Sequence, residues 1–351
     1  IILTKAMARH GDTLKLDRHP VIDKHSIGGI PGNRTTMVLV PIIAAAGLVI
    51  PKTSSRSITS PAGTADTMEV LAKISFPIKK MKQIVMKYNG CIVWGGSLNL
   101  APADDKIINV ERTLGIDAES QLLASIMAKK HSVSSTHIII DIPAGSDSKV
   151  SSRAEALRLK KNFEEIGKKL RKHVKVIITD GSQPIGNGIG PALEARDVLW
   201  LLRRDLRRPL DLEKKCIILA TETLKLANIK SPREKVLEIL NSGRAYNKMK
   251  EIIKAQQGKV FNPDKIKIGN FKYNVRSSRN GIVRKISNSI ISKIARIAGA
   301  PANKGAGIYL YKHVGNKIKK GEKLFTIYAE SRVKINFVKE ALKIGNGFVV
   351  K

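Results

Sequence analysis

The residue types best suited to chemistry lie in one stretch of the chain, from Asp23 to Asp66. It begins DKHSIGGIPGNR and, after an apolar run, continues PKTSSRSITSPAGTAD. Two glycine-containing loops therefore flank the apolar run, and they carry a Lys-His-Ser triplet and many hydroxyl groups. Loops of this kind offer backbone N–H and side-chain O–H donors with little bulk around them, which is what a bound phosphate needs. The stretch predicts an enzyme that acts on phosphate or on a phosphorylated sugar.

The first loop follows a short apolar run, so it lies at the end of a predicted strand. Lys24 would supply a positive charge to a phosphate and Ser26 a hydroxyl donor, while Gly28 and Gly29 would let the backbone approach closely. The alternative is a tight turn with a solvated lysine, and composition alone does not separate the two. The loop is not a P-loop, because the chain contains no GxxxxGK[ST] pattern.

The second loop, between Ser54 and Thr64, contains six hydroxyl side chains. It lies between an apolar helix and a helix predicted to start near Asp66. Backbone N–H groups at a helix N-terminus favour anions, so a donor-rich loop at this place favours an anion site over a plain polar linker.

Three polar side chains further along the chain are weaker candidates. Asp117 begins a predicted helix, Asp117–Lys130, on which Ser125 and Lys129 share a face because they lie four residues apart. From the pattern alone, N-capping by Asp117 and a solvated Lys129 are the simpler interpretations. Lys149 follows a buried strand, and open α/β sheets bind ligands at the carboxyl ends of their strands. Lys149 is therefore a better candidate ligand than the lysines of the C-terminal segment.

The charge balance raises a different possibility. The chain has 351 residues, with 63 Lys+Arg against 29 Asp+Glu, a formal net charge of +34. Such an excess suggests an anionic partner such as nucleic acid. The basic residues are spread along the chain, however, aromatic residues make up only 4%, and no base-stacking motif occurs. We therefore expect no specific nucleic-acid binding, although a basic nucleic-acid-binding protein stays the alternative of another class.

Cysteine, histidine and hydropathy set further bounds. The two cysteines, Cys91 and Cys216, form no disulfide framework or metal cluster and fit a reducing cytosol. The seven histidines lack the spacing of zinc ligands. No apolar run reaches the roughly 18 residues of a membrane span. We expect a cytoplasmic protein with no metal and no membrane contact.

Apolar strands alternate with helices through most of the chain. Buried strands are predicted at Cys91–Trp94, His137–Ile142 and Val174–Thr179, and a buried helix at Thr35–Leu48. This alternation predicts an α/β fold with a mostly parallel sheet flanked by helices. After residue 262 the predicted strands become short and are separated by turns. The change indicates a small C-terminal α+β domain, rich in β-strands, with one helix at Asn288–Ala298.

Taken together, these motifs resemble the thymidine and pyrimidine-nucleoside phosphorylase superfamily. The shared pattern is a KHSxGG loop, a serine-rich segment ending in GTxD, an LAPAD motif and a helix with Ser and Lys. Here these are Lys24–Gly29, Ser54–Asp66, Leu100–Asp104 and Ser125 with Lys129 and the second lysine, Lys130, and the match extends through nearly the whole chain. The wording SSRSITSPAGTAD and the extra residue in IPGNR resemble the archaeal AMP phosphorylases, a subgroup, more than the thymidine enzymes.

The resemblance implies phosphorolysis of nucleoside 5′-monophosphates, in which AMP and phosphate would give adenine and ribose 1,5-bisphosphate; CMP and UMP would also react. It implies Asp117 as the catalytic proton donor. The residues implied to contact the nucleotide are Gly29, Ser55, Arg56, Ser57, Ile58, Thr59, Ser60, Thr64, Ser125 and Lys149. Those implied to hold the attacking phosphate are Lys24, Ser26, Thr36, Ser54 and Thr64. No cofactor is implied, since inorganic phosphate is the co-substrate.

The alternative within the superfamily is a thymidine or pyrimidine-nucleoside phosphorylase. The resemblance implies that such enzymes hold the pyrimidine with an arginine. Glu111 and Arg112 compete for that position here, because the segment before Asp117 is one residue shorter. A third alternative is a transferase of the anthranilate phosphoribosyltransferase type, whose fold is similar but lacks the C-terminal β domain.

The resemblance also divides the chain into domains. Residues 1–15 are expected to be the remnant of an N-terminal helical domain, because the chain does not begin with Met and opens on what resembles the end of a helix. Residues 16–262 would form the α/β phosphorylase core, with 100–131 contributing to the helical domain. Residues 263–351 would form the C-terminal β-rich domain. A homodimer or larger homo-oligomer is expected for the full-length protein.

Overall fold

The central feature of the fold is a parallel β-sheet. The computed structural model describes residues 2–9, 11–104, 107 and 119–351. The strands are β1 (Ile22–Ser26), β2 (Ile50–Ser54), β3 (Gly90–Trp94), β4 (His137–Ala144) and β5 (His173–Asp180). Parallel pairing joins β1, β4 and β5 in that order and β2 with β3, and a parallel bridge between Val21 and Val49 links the two sets. The spatial order is therefore β3-β2-β1-β4-β5, which confirms the predicted parallel α/β fold.

Helices pack around this sheet. They are α1 (Ile2–Arg9), α2 (Thr35–Ala45), α3 (Thr64–Glu69), α4 (Ile78–Tyr88), α5 (Glu119–Ser132), α6 (Arg153–Lys169), α7 (Pro191–Leu202), α8 (Leu210–Leu226), α9 (Pro232–Asn241) and α10 (Arg244–Ala255). The helix α2 is buried along almost its whole length and packs against α8 and α10. A helix that is apolar on all sides needs such a position. Its burial fixes the loop that precedes it, and this loop follows directly on β1, the strand that carries the Lys-His-Ser triplet expected in a loop.

The N-terminal helix α1 lies against α5. Met7 of α1 is buried together with Ala124 and Ala128, which lie one turn apart on α5. This contact is consistent with one helical unit formed from residues 1–15 and 100–131. The domain boundaries themselves stay predictions.

The C-terminal part consists of two small antiparallel sheets and two helices. Its elements are β6 (Gly188–Ile189), β7 (Phe271–Arg276), β8 (Gly281–Ile286), α11 (Asn288–Ile297), β9 (Gly307–Leu310), β10 (Lys317–Ile318), β11 (Lys323–Ala329), α12 (Arg332–Ile344) and β12 (Phe348–Val350). The strand orders are β6-β9-β11-β7 and β10-β8-β12. The predicted β-rich domain is confirmed, but α12 was missed. Ile335 and Val338 of that helix are buried, and Leu342 packs against the same cluster.

The strand β6 comes from the α/β core and pairs with β9 of the C-terminal part. Gly188 lies opposite Tyr309 and Ile189 opposite Ile308. Ile189 is fully buried in the hydrophobic cluster of the C-terminal part. The two parts of the chain thus share one sheet.

The helix after the second loop begins earlier than predicted. It starts at Thr64 rather than near Asp66, because Asp66 lies in its first turn and its Oδ2 accepts the backbone N–H of Gly63 at 2.9 Å. The carboxylate thereby caps its own helix. An anion at this helix end would compete with Asp66, so the hydroxyls of the loop are better candidate donors than the helix terminus.

Membrane-spanning helices, metal sites and disulfides were predicted to be absent, and each point concerns only the described residues. Within these ranges, no helix combines the length and the apolar character needed to cross a membrane. The same ranges hold no set of three or more His, Cys, Asp or Glu side chains placed to bind a metal ion. Cys91 and Cys216 are both buried, and neither forms a disulfide.

Candidate active site

The candidate site lies at the carboxyl ends of the central strands. In the register of β1 and β4, Ser26 lies opposite Asp141, and the neighbouring strand β2 ends at Ser54. The parallel arrangement thus brings Lys24, Ser26 and Ser54 to one edge of the sheet, as their positions at strand ends predict. Thr36 reaches the same place from the first turn of α2.

Lys24 is buried at this edge. Its side chain is 1% exposed, and its Nζ donates hydrogen bonds to Thr35 Oγ1 at 2.7 Å and Thr36 Oγ1 at 3.3 Å. Its ion-pair partner among the described residues is Asp141, at 4.0 Å. Burial lowers the pKa of Lys24 to about 8, although Asp141 acts in the opposite direction. The ammonium group is therefore held by hydroxyls more closely than by a carboxylate.

Asp141 links the first loop to the body of the protein. Its Oδ2 accepts hydrogen bonds from Ser26 Oγ at 3.0 Å and Asn33 Nδ2 at 3.3 Å, and it lies 3.1 Å from Lys215 Nζ. Its Oδ1 accepts a hydrogen bond from Thr179 Oγ1 at 2.6 Å. Burial alone would raise the pKa of Asp141, but the neighbouring lysines hold that pKa below its usual value. Asp141 is therefore ionised and orients Ser26.

Asp23, just before the Lys-His-Ser triplet, pairs with a second group of buried lysines. Its Oδ2 lies 2.8 Å from Lys130 Nζ, and its Oδ1 lies 3.7 Å from Lys52 Nζ. Burial and then the charge of Lys130 lower the pKa of Lys52 to about 7. Burial and the same lysines hold the pKa of His25 well below its usual value. The imidazole of His25 is therefore neutral near pH 7.

The Asp23→Ala variant should lose about 3–5 kcal/mol of unfolding free energy, because it leaves Lys52 and Lys130 buried without a carboxylate. Urea unfolding at pH 7 measures this loss. The control is Asp17→Ala, since Asp17 is 84% exposed and lies 3.7 Å from Lys82. Exposed pairs of this kind contribute about 0–1 kcal/mol. A loss in Asp23→Ala no larger than in the control would contradict the buried pairing.

Asp104 of the LAPAD motif organises the side of the site formed by α5. Asp104 is fully buried. Its Oδ2 accepts a hydrogen bond from Ser125 Oγ at 2.8 Å and lies 2.8 Å from Lys129 Nζ, while Gln121 Nε2 donates to its Oδ1 at 3.2 Å. Ser125 and Lys129 therefore share a face of α5, as their spacing predicts. The face is directed at a carboxylate, so Lys129 is not simply solvated.

The second loop is closed into a ring by Asp66. Its Oδ2 accepts the backbone N–H groups of Ser57 at 2.8 Å and of Gly63 at 2.9 Å. Arg56 donates to Asp66 Oδ1 at 3.1 Å and to the two carboxylate oxygens of Glu69 at 2.5 and 2.8 Å. The guanidinium of Arg56 thus fixes the loop to α3. The hydrogen bonds from Arg56 lower the pKa of Glu69 to about 2.

Arg34 joins the two loops. Its Nη1 donates to Thr64 Oγ1 at 3.1 Å and its Nη2 to the carbonyl oxygen of Ala62 at 3.2 Å. Its Nε pairs with the buried carboxylate of Glu194. Burial raises the pKa of Glu194 to about 7, although Arg34 acts against this rise. Through Arg34, the position of Thr64 is tied to the first loop.

Two hydroxyl groups of the second loop are buried and have no hydrogen-bond partner among the described residues. They are Ser54 Oγ, at the end of β2, and Ser57 Oγ, within the loop. Leaving a buried hydroxyl unpaired costs about 1–3 kcal/mol. Such groups mark places where an oxygen of a ligand or of water can bind.

The outer part of the second loop faces solvent and the C-terminal domain. Ser55, Ile58 and Thr59 are exposed, and Ser60 is half-buried. Arg296 of α11 donates a hydrogen bond to the carbonyl oxygen of Thr59 at 2.8 Å. The C-terminal domain therefore touches the segment that was predicted to hold the nucleotide.

Gly29 and Lys149 approach each other closely. Gly29 has a φ of +94°, and a Cβ atom on it would lie 2.3 Å from the backbone nitrogen of Lys149. Only glycine fits such a position. The first loop and the loop after β4 therefore form one continuous surface, on which two predicted nucleotide contacts are neighbours.

The predicted site residues that the structure describes thus gather at the ends of β1, β2 and β4 and on α5. The predicted proton donor, Asp117, lies outside the described residues. Glu111 and Arg112, the two candidates for a base-binding position, also lie outside them.

Sequence comparison covers most of the chain. The family profile described as "Glycosyl transferase family, a/b domain" matches residues 18–246, and the profile "Pyrimidine nucleoside phosphorylase C-terminal domain" matches residues 282–346. The chain belongs to the pyrimidine-nucleoside phosphorylase superfamily. The family predicted from the motifs is thereby confirmed, and with it the class of enzyme, a phosphorylase that transfers a glycosyl group.

Similar curated proteins include some named as thymidine phosphorylases and some named as AMP phosphorylases. A "Putative thymidine phosphorylase" from Bradyrhizobium diazoefficiens is 46% identical over 100% of this chain and 68% of its own length. Proteins named "AMP phosphorylase" from Pyrococcus furiosus and Thermococcus kodakarensis are each 50% identical over 95% of this chain and 67% of their own length. The chain spans about two thirds of the length of the curated relatives it matches.

Solved structures that resemble this phosphorylase at low identity show the fold alone. Anthranilate phosphoribosyltransferase from Thermus thermophilus matches with a TM-score of 0.58 at 16% identity, over 73% of this chain and 83% of its own. The Saccharomyces cerevisiae enzyme of that name gives 0.55 at 14% identity, over 72% and 78%. The C-terminal profile match argues against a transferase of that type here.

Sequence reasoning missed three residues that organise the site of this phosphorylase: Arg34, Asp141 and Lys215. Asp141 is the one charged residue within the apolar strand HIIIDI, and a charge at such a position is usually paired, which was the available signal. Arg34 and Lys215 carried no comparable signal, since arginine and lysine are abundant throughout the chain.

Proposed function

We propose that the protein catalyses the phosphorolysis of nucleoside 5′-monophosphates, converting AMP and inorganic phosphate into adenine and ribose 1,5-bisphosphate. CMP and UMP would react in the same way. The observation that carries the proposal is the pair of buried, unpartnered hydroxyls, Ser54 Oγ and Ser57 Oγ. A nucleotide substrate requires two phosphate sites, and these hydroxyls belong to the two groups of residues assigned to the attacking phosphate and to the nucleotide. The relatives named "AMP phosphorylase" support the same substrate class.

In the proposed reaction an oxygen of phosphate attacks C1′ of the ribose while the C1′–N bond to the base breaks. The electron pair of that bond leaves with the base, and a proton passes from Asp117 to a ring nitrogen such as N7 of adenine. Lys24, Ser26 and Ser54 would place the phosphate below C1′, through proximity and electrostatic attraction. The enzyme forms no covalent intermediate, because phosphate itself is the nucleophile.

The charge of the buried cluster suits an anion. The cluster contains Lys24, Lys52, Lys130, Lys215, Asp23 and Asp141. These described lysines outnumber the carboxylates that pair with them, so a bound phosphate would offset an excess of positive charge. The lowered pKa values of Lys24 and Lys52 arise first from burial and then partly from this excess.

A second candidate function is the phosphorolysis of thymidine or another pyrimidine nucleoside. Relatives named "Putative thymidine phosphorylase", at 46% and 49% identity, favour it. Phosphate-dependent release of base from AMP and from thymidine, measured side by side, separates the two candidates. Faster release of thymine than of adenine at equal concentrations would make thymidine the substrate.

AMP should be a better substrate than adenosine by at least about tenfold in kcat/KM, because a charge-assisted hydrogen bond to its 5′-phosphate is worth about 1.5–3 kcal/mol. Adenine release in the presence of phosphate measures both reactions. In the Ser57→Ala variant, kcat/KM should fall for AMP and stay unchanged for adenosine. Equal rates for AMP and adenosine in the unmodified protein would contradict a nucleotide substrate.

We further propose that the reaction needs no cofactor, since phosphate supplies the nucleophile and Asp117 the proton. A cytoplasmic location is part of the proposal and is supported by the two buried thiols, Cys91 and Cys216, which form no disulfide. A homodimer or larger homo-oligomer is also proposed, and analytical ultracentrifugation would measure it.

A further inference from the structure

We propose that Asp141 and Lys215 are positioning residues that set the charge state of Lys24, and thereby the pH range in which the enzyme attracts the attacking phosphate. This inference rests on the proposed function, in which Lys24 holds that phosphate. Neither residue was assigned a role by the motifs, and they come from separate elements, β4 and α8.

The geometry places one carboxylate oxygen between two lysines. Asp141 Oδ2 lies 3.1 Å from Lys215 Nζ and 4.0 Å from Lys24 Nζ. The same oxygen accepts the hydroxyl of Ser26 at 3.0 Å. Since Lys215 is the closer cation, the negative charge of Asp141 is neutralised mainly by Lys215 and less by Lys24. Lys24 is left with the hydroxyls of α2 as its nearest partners.

All three charged groups are shielded from water. Lys24 is 1% exposed, Asp141 0% and Lys215 6%. At such burial the charges act on each other strongly, because solvent does not screen them. A change in either neighbour should therefore be transmitted to Lys24.

The direction of each effect on the pKa of Lys24 is fixed by the sign of the charge. Burial is the main cause of its lowered pKa of about 8; Asp141 raises the pKa and Lys215 lowers it. The charged or titratable groups that act on Lys24 are Asp141 on β4, Lys215 and Cys216 on α8, and Arg34 before α2. Lys52 on β2 interacts with Lys24 as well. Lys24 thus loses its proton as the pH rises through about 8, and its attraction for phosphate is lost over the same range.

Two substitutions should move this pH range in opposite directions. Lys215→Met removes a repelling cation and frees Asp141 for Lys24, so the pKa of Lys24 should rise. Asp141→Asn removes the attracting anion, so the pKa should fall. A single charge within about 4–6 Å of a titratable group shifts the pKa of that group by about one unit or more. Lys215→Met leaves Asp141 with Lys24 and its hydrogen-bond donors, so this variant should fold.

The test is the pH dependence of kcat/KM for phosphate between pH 6.5 and 9.5 at saturating AMP, since this quantity reports ionisations of the enzyme form that phosphate binds, which is then the AMP complex. We expect the alkaline fall to shift up by about one pH unit in Lys215→Met and down by a similar amount in Asp141→Asn. The matched control is Lys214→Met, because Lys214 is the exposed neighbour on α8; its profile should match that of the unmodified protein. A Lys215→Met profile that does not move, or moves down, overturns the inference, and this variant decides the outcome if Asp141→Asn does not fold.

A binding measurement separates failure of this inference from failure of the proposed function. Calorimetric titration with sulfate, which does not change protonation in this range, reports anion affinity at each pH without turnover. If the unmodified protein shows no phosphate-dependent base release, the proposed function fails, and the sulfate affinities of the variants still test the inference. Affinity that falls at the same pH in all variants would overturn it.

Discussion

The Lys24→Met variant should lose about 10²–10³-fold in kcat/KM for phosphate, the usual cost of removing one group that stabilises charge in a transition state. Methionine keeps an unbranched apolar stem but removes the ammonium that would contact the phosphate. The fold should tolerate the change, because Asp141 keeps Lys215 at 3.1 Å and Ser26 at 3.0 Å. The cost of burying the Lys24 charge also disappears. Initial rates with varied phosphate at saturating AMP, near pH 7, measure the effect.

The control for this variant is Lys79→Met, since Lys79 is exposed at the start of α4. Its rates should equal those of the unmodified protein. AMP affinity should change little in Lys24→Met, because Lys24 is assigned to the attacking phosphate and not to the nucleotide. Near-normal kcat/KM for phosphate in a folded Lys24→Met variant would remove Lys24 from the phosphate site.

The Asp117→Asn variant should lose about 10²–10⁴-fold in kcat, the range contributed by a general acid. Asparagine has nearly the same shape as aspartic acid, but its amide does not deliver a proton to the departing base. AMP affinity, measured by calorimetry in the absence of phosphate, should stay close to normal. Asp117 lies two residues before Glu119, where α5 begins, and the same helix carries Ser125 towards Asp104.

The matched control is Glu119→Gln, which removes a carboxylate two residues further along the sequence. Glu119 forms a surface ion pair with Arg158 at 2.7 Å, and its loss should leave kcat unchanged. If Asp117→Asn turned over AMP at a near-normal rate, the proton would have to come from another group. Such a result would leave the phosphate site itself untouched.

The parts of the site that are local in sequence could be predicted. Ser26 and Ser54 are the last residues of β1 and β2, with Lys24 two residues before the end of β1, and parallel strands place their carboxyl ends at one edge. The face shared by Ser125 and Lys129 follows from the helical repeat. In each case the deciding relation spans only a few residues.

The pairing partners could not be predicted, because they depend on contacts between distant elements. Asp141 meets Ser26 only through the register of β1 and β4, and Lys215 reaches Asp141 from α8. Arg34 and Glu194 are likewise far apart in the sequence and form an ion pair only in the folded chain. With lysine and arginine spread over the whole chain, the sequence did not indicate which cations were buried.

Arg56 shows the same limit in a residue that the motifs did select. The resemblance assigned it to the nucleotide, and the structure shows its guanidinium engaged by Asp66 and Glu69. Its position in the motif therefore has an explanation in the folding of the loop. Whether it also touches the nucleotide stays a prediction.

The two-residue strand β6 couples the unfolding of the α/β core to the unfolding of the C-terminal domain. Gly188 and Ile189 pair with Tyr309 and Ile308 across the sheet. The side chain of Ile189 is buried in the hydrophobic cluster of the C-terminal part. Neither domain can melt without exposing apolar surface that the other covers. The loop at Thr59 is held by Asp66 of α3 on one side and by Arg296 of the C-terminal domain on the other, so its conformation depends on the stability of both domains.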